Sequence, residues 1–285
     1  MKSDPLKSQN SSEFHPNSVE DFFAGNMLYG DDFSEEQLNV WYEEEKEGYS
    51  GVVLSKQEVY RYHYHELNLF HLFRHANIPQ GANAIGLGSA YGDEFIPITN
   101  RLSKITIIDP SDKFAEHETL NGTPLEYRKP NLNGKLDFPD KHFHLATSMG
   151  ALHHIANVTT VLREFHRCLT PGGYMLIREP IVTQGDWRHP RRGLTKNERG
   201  IPYRLFKSIV TDVGFQIEHS ALFDFAPFTR IMAELGIPAF TNPFTTRADR
   251  LLSLLFSFNT KYHRANFIQR FGPASLALVV RKPTT

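Results

Sequence analysis

Between residues 83 and 180, apolar runs too short for helices alternate with longer segments of helical period. The runs "NAIGLG", "KITIIDP" (104–110), "LEYRKP", "HFHLATS" (142–148) and "YMLIREP" (174–180) predict five strands. "GDEFIPITNRL" predicts a helix after the first of them. In "NVTTVLREFHRCL" (157–169), Val158, Val161, Leu162, Phe165 and Leu169 share one helical face, and Asn157 is placed to cap it. "PGG" then marks a sharp turn. This alternation predicts an α/β fold, a parallel sheet covered by helices.

The pattern changes on either side. Downstream, "PYRLFKSIVTDVGF" reads as a helix ending at a glycine, "QIEHSALFDF" as a strand and "ASLALVVRKP" as a closing strand. About fifty residues (226–273) separate those strands, too many for a hairpin, and predict an inserted unit. Its aromatics, with Phe225, Phe228, Phe240, Phe244 and Tyr262 among them, would roof a site as a lid or form a small auxiliary core. Upstream, 1–18 is polar and reads as a disordered tail. Residues 19–80 read as an N-terminal helical cap, in which "SEEQ" (34–37) resembles a capping box and 56–76 an amphipathic helix. Residues 81–285 form the main domain.

Composition narrows the function classes. The chain has 285 residues, 40% of them hydrophobic. Its mean hydropathy is −0.40. No apolar run reaches the roughly 18 residues of a membrane span, and the N-terminus lacks the apolar core of a secretory signal. The single cysteine, Cys168, excludes an internal disulfide and Cys-rich metal sites, and fits a cytoplasmic setting. A net charge of −1, from 31 basic and 32 acidic residues, gives no reason to expect nucleic acid as a partner. Two stretches depart from that balance: 31–48 is acidic and reads as a solvated face, while 186–199 is basic. His71 and His75 have helical i, i+4 spacing, but "HELNL" (65–69) lacks the second histidine of a zinc-binding H-E-x-x-H, so no metal site is expected.

The candidate chemistry lies in "NAIGLGSAYGDEF" (83–95). Gly86 and Gly88 would let the backbone turn beside a ligand with no Cβ in the way. Asp109 ends the next strand 21 residues after Gly88, close to the roughly 20 expected for a carboxylate that accepts hydrogen bonds from ribose hydroxyls. A nicotinamide oxidoreductase would use the same two features.

The segments "LDFPD", "HFHLATS", "ALHHI", "VLREFHRCL" and "LTPGGYMLI" follow in an order and spacing that resemble the class I S-adenosylmethionine (SAM)-dependent methyltransferases. The resemblance covers 83–180. It implies a Rossmann-like class I methyltransferase fold with a C-terminal antiparallel strand, and SAM as cofactor. It implies cofactor contacts from Gly86, Gly88, Ser89, Ala90 and Gly92 in the loop, from Asp109 and Pro110, from Asn131 and Leu132, and from Ser148. The chain departs from the family pattern in three places. Gly86 stands where the loop acid is usual, Ala90 where the middle glycine is, and His144 where the strand acid is. Asp93, Glu94, Tyr60 or Tyr64 are candidates to replace the loop acid. "GSAYGDEF", "REPI" and "GDWRHPRRGLTKNERGIP" carry a looser resemblance to small bacterial methyltransferases of polysaccharide and glycan pathways.

That second resemblance implies O-methylation of a sugar or glycan intermediate. N- or C-methylation of another small molecule, or SAM binding without catalysis, are the alternatives. A hydroxyl acceptor needs its proton taken. His153, His154, Glu179 and Asp186 are the candidate bases. The basic loop 185–200 follows the fifth strand and would face the acceptor. There Trp187 could stack on a sugar ring, and Arg188, Arg191 and Arg192, with Lys196 and Arg199, could hold a phosphate or carboxylate.

Overall fold

Eight strands form one sheet in the order β3-β4-β2-β1-β5-β6-β8-β7. They are β1 (Ala82–Leu87), β2 (Leu102–Ile108), β3 (Thr119–Leu120), β4 (Thr123–Arg128), β5 (Phe143–Met149), β6 (Leu169–Pro180), β7 (Gln216–Phe225) and β8 (Pro273–Arg281). Strands β4, β2, β1, β5 and β6 run parallel, whereas β8 pairs antiparallel with both β6 and β7. The structure, a computed structural model, describes residues 16–53, 62–111, 114–115 and 117–284. Residues 56–61 of the predicted 56–76 helix, with the candidate Tyr60, lie outside these residues.

Alternate side chains of each strand feed the two faces of the sheet. On β8, Leu276, Leu278 and Val280 enter one core with Ile85, Phe165 and Phe206, while Ala277 and Val279 enter the other with Leu67, Phe95 and Ile105. The first core is covered by α4 (Val158–Cys168) and α5 (Tyr203–Asp212). The predicted face of α4 is the buried one: Val158, Val161, Leu162 and Phe165 are each at most 3% exposed.

Several elements differ from their sequence pattern for identifiable reasons. Residues Asp93–Arg101 form a 3-10 helix with Pro97 inside it, where an N–H is missing. "PGG" is absorbed into β6 as a bulge, since the register with β5 shifts between Phe143 and Leu145. The two-stranded β3–β4 ribbon turns at Asn121-Gly122, both with positive φ (48° and 82°).

The N-terminal cap is divided between the two cores. Helix α1 (Pro16–Ala24) begins inside the expected tail. Helix α2 (Glu35–Val53) starts with the expected capping box, in which Ser34 N donates to Gln37 Oε1 (2.9 Å) and Gln37 N to Ser34 Oγ (3.4 Å). Asp31, between α1 and α2, caps α4 by accepting from Thr159 N (2.8 Å). Helix α3 (His65–His71) and the 3-10 turn Phe73–His75 pack on the other side, with Leu67 and Phe73 in the second core. There His71 stacks on Phe223 (6.0 Å) and His75 on His219 (3.6 Å).

Candidate active site

The loop between β1 and the 3-10 helix is held in a left-handed shape at three positions: Gly88 (φ 62°), Ala90 (φ 47°) and Gly92 (φ 78°). Ala90 is a non-glycine in that region, at a cost of roughly 1–2 kcal/mol. Its amide donates to Asp109 Oδ2 (3.3 Å), and its carbonyl accepts from Tyr127 Oη (3.1 Å). Asp109 Oδ1 accepts from Ser111 N (2.9 Å). Burial pushes the Asp109 carboxyl up from its ordinary value, and these two amides oppose that shift. A Cβ on Gly88 would lie 2.6 Å from Ala151 Cβ, so the loop passes close to the turn after β5.

Gly86 pairs in register with Thr147 of β5. A Cβ on Gly86 would meet Ser89 Oγ at 2.1 Å and Phe95 at 3.0 Å. Glu94 sends its buried carboxylate to Thr147 Oγ1 (3.2 Å), and burial pushes it up to about 7. Thus Glu94 brings an acid to the strand pair from which Gly86 removes one.

The turn 150–157 after β5 is fixed from two sides. Glu179, from β6, accepts from the amides of Ala151 (2.9 Å) and Leu152 (2.8 Å), and lies 2.7 Å from His153 Nδ1. Arg199 is fully buried and donates to the carbonyls of Leu152, His153, Ile155 and Ala156, and to Tyr29 O. Trp41 Nε1, from α2, donates to His154 O (2.7 Å). Burial, then the neighbouring His154, hold His153 below the ordinary imidazole range, against the opposing pull of its Glu179 partner. His154 Nδ1 lies 3.0 Å from Glu45 Oε2 of α2. Burial would raise Glu45, but hydrogen bonds from His154, Thr195 and Asn197 hold it below the usual carboxylate range.

A cleft opens at this place. Its lining comes partly from the strand ends and their loops, with Gly88, Pro110, Asn131 and Leu132, and partly from α2 and the turn, with Trp41, Glu45 and His154.

Residues 85–177 match the family described as a methyltransferase domain. The chain carries a class I, SAM-dependent methyltransferase domain. In fold it is similar to SpnF, a 4+2 cyclase, with TM-score 0.56 and 15% identity over 91% of this chain and 98% of that one. It is also similar to the Haloferax volcanii protein solved with the Trm112 methyltransferase activator, with TM-score 0.52 and 14% identity over 88% and 100% of the two chains. Among curated proteins, a hybrid PKS-NRPS synthetase of Acremonium sp. is 34% identical over 83 residues, 29% of this chain. The chain spans 2% of that synthetase's length.

The methyltransferase domain presents residues that fit its cofactor. Gly88, Pro110, Asn131 and Leu132 line one wall of the cleft, and the buried Asp109 precedes Pro110 in the chain. Asp109 spends one hydrogen bond per carboxylate oxygen within the chain.

Other sequence expectations require correction. Ser148 is fully buried with its hydroxyl on Glu179 (3.3 Å), turned away from the cleft. Glu179 is itself sealed, its oxygens are taken by the turn, and it does not line the cleft. Asp186 is bound to Arg188 through both carboxylate oxygens (Nε 2.9 Å, Nη2 2.6 Å) and does not line the cleft. Trp187 is 4% exposed, packed against Phe23 (5.0 Å) and Tyr29 (5.2 Å), with no face left for a sugar. Arg191 donates to the carbonyls of Thr183, Thr195 and Lys196, Lys196 pairs with Glu44, and Arg199 is buried. Of the five loop cations, Arg192 remains exposed with no ion pair among the described residues. None of residues 226–273 lines the cleft, so the insertion is not its roof.

The residues that sequence reasoning missed are Trp41 and Glu45. They sit in the acidic run that reads as a solvated face, and no local pattern marks them as partners of a turn over a hundred positions away.

Proposed function

We propose that this protein methylates a hydroxyl of a small, neutral acceptor of sugar or glycan type, with His154 as the base. The observation that carries the reading is the His154–Glu45 pair on the cleft wall (3.0 Å). A carboxylate on one imidazole nitrogen fixes the ring and stabilises the cation formed when it takes a proton.

SAM, when bound, supplies an electrophilic methyl group on a sulfonium. The chain supplies position. The loop from Gly88 to Gly92 and Asp109 hold the nucleoside end, and Glu94 brings negative charge near the methionine end. His153, locked by Glu179, shapes the turn that presents His154. Trp41, buried beneath the cleft, holds the same turn through its indole N–H on His154 O. An anionic acceptor is not proposed, because four of the five loop cations are engaged within the chain, Arg192 does not line the cleft, and Lys135 is the cation on the cleft wall among the described residues.

The test combines calorimetry of SAM binding with transfer of labelled methyl to a panel of sugars and polyols. The expected product is a methyl ether, and His154→Ala keeps SAM affinity while losing turnover. Transfer to amines alone would overturn the reading, as would full turnover in the variant.

A further inference from the structure

We propose that helix α7 (Pro243–Leu255) and the turns after it form a docking surface for an anionic lipid bilayer. The helix is inside out. Its inward face is polar: Thr245, Thr246, Asp249 and Ser253 are at most 6% exposed. Its outward stripe is apolar: Phe244 is 79% exposed, Leu251 57%, Leu254 54%, Leu255 59% and, just beyond the helix, Phe258 81%.

The inward face has a structural reason. Strand β7 is the edge of the sheet, and its last amides need acceptors. Asp249 accepts from Asp224 N and Phe225 N, both at 2.8 Å, and Arg250 donates to Leu222 O (3.1 Å). The outward stripe has no such reason within the chain. Spacings of three, four and seven residues put large apolar groups along one side of the helix, in water. Such a patch marks an interaction surface.

The patch continues past the helix. Phe256 and Phe271 both contact Phe225 (4.8 and 6.5 Å), and Asn259 Nδ2 donates to Ile268 O (2.8 Å), so Phe258 adjoins the turn that carries Phe267 and Ile268, 70% and 75% exposed.

Charge selects the occupant. Arg247 lies on the stripe itself, and Arg230, Lys261 and Arg270 are also exposed in the insertion, where Glu234 is the exposed acid. The whole chain carries a net charge of −1, so this cationic excess is local. An apolar stripe among cations matches acyl chains beneath anionic headgroups, with the helix lying in the interface plane. A two-fold pairing of this face with a second copy would set Arg247, Lys261 and Arg270 against like charges. No helix among the described residues is long and apolar enough to cross a membrane.

The experiment is co-sedimentation of the full chain with vesicles of phosphatidylcholine alone and of phosphatidylcholine with phosphatidylglycerol, across a salt series. Binding is expected on the anionic vesicles and weakens with salt. Leu251→Ser/Leu254→Ser/Phe258→Ser should reduce it by about tenfold or more. Arg247→Glu or Lys261→Glu should each reduce it by roughly fivefold. These positions are exposed, so SAM affinity and the unfolding temperature stay near wild type. Absence of binding to anionic vesicles overturns the proposal, as does binding indifferent to the serine variant. Sedimentation velocity covers the rival occupant: self-association abolished by the same substitutions, without vesicle binding, would make this a surface between copies.

Discussion

Glu94 places its carboxylate 3.2 Å from the hydroxyl of Thr147, the residue that pairs across the sheet with Gly86. An acid reached from the following helix thus stands at the strand pair where the family's loop acid is missing. Burial raises the Glu94 carboxyl to about 7 from 4.5. A carboxyl raised in the folded state favours folding while protonated, and that contribution is lost as pH climbs from about 4.5 through about 7. Glu94→Gln should remove the loss. Relative to wild type it should gain stability between pH 5 and pH 8, approaching about 3 kcal/mol. Denaturant titrations at the two pH values check this, and an unchanged difference would deny the raised value. SAM affinity of the wild type should rise over the same range, since an ionised Glu94 attracts the cationic cofactor, and the variant should be flat.

Gly88 is needed twice, for its φ of 62° and for its approach to Ala151. Gly88→Ala should weaken SAM binding and lower stability together. Ala151→Gly in the same chain should relieve the contact but leave the backbone strain of roughly 1–2 kcal/mol. Calorimetry on the single and double variants measures the partial rescue. Complete rescue would mean the left-handed turn costs nothing.

Arg199 should behave as a structural residue. Replacing it with Met strips five carbonyls of a buried donor and should cost about 3 kcal/mol or more. Arg191→Ala should also lower stability, whereas Arg192→Ala should leave both stability and acceptor KM near wild type. An acceptor KM that rises with Arg192→Ala in a stable protein would restore a recognition role to the loop.

Glu45→Gln keeps the shape of the His154 partner and removes its charge. Turnover should fall about 10²–10⁴-fold if the pair carries the proton transfer, with SAM affinity changed little. Equal losses in kcat and in SAM affinity would mean that Glu45 supports the cleft rather than the base.

Local pattern carried much of this molecule. The strand alternation, the face of α4 and the capping box at Ser34 are short-range periodicities, and they hold. The β3–β4 ribbon was not read from the sequence, although Asn121-Gly122 is a dipeptide that fits its two successive positive φ values. Side-chain fates were not legible. Arg191, Lys196 and Arg199 look alike in a basic loop, yet each finds a different internal partner, two of them across contacts with residues 29 and 44. Trp187 reads as a stacking platform because nothing local reports Phe23 and Tyr29 against it. Helix α7 went unread: its polar face caps the sheet edge through Asp249 and its apolar face points outward, an arrangement no local pattern announces.

Glu45 has a second consequence. The same side chain orients His154, takes Asn197 N (2.7 Å) and receives the Thr195 hydroxyl (2.5 Å), and it rides on α2, a wall of the cleft. Any opening on the α2 side therefore withdraws the carboxylate from the imidazole and releases the loop at 195–197 in one movement. On the proposed function, a sulfonium in a cleft opened on that side would face water without a primed base beside it.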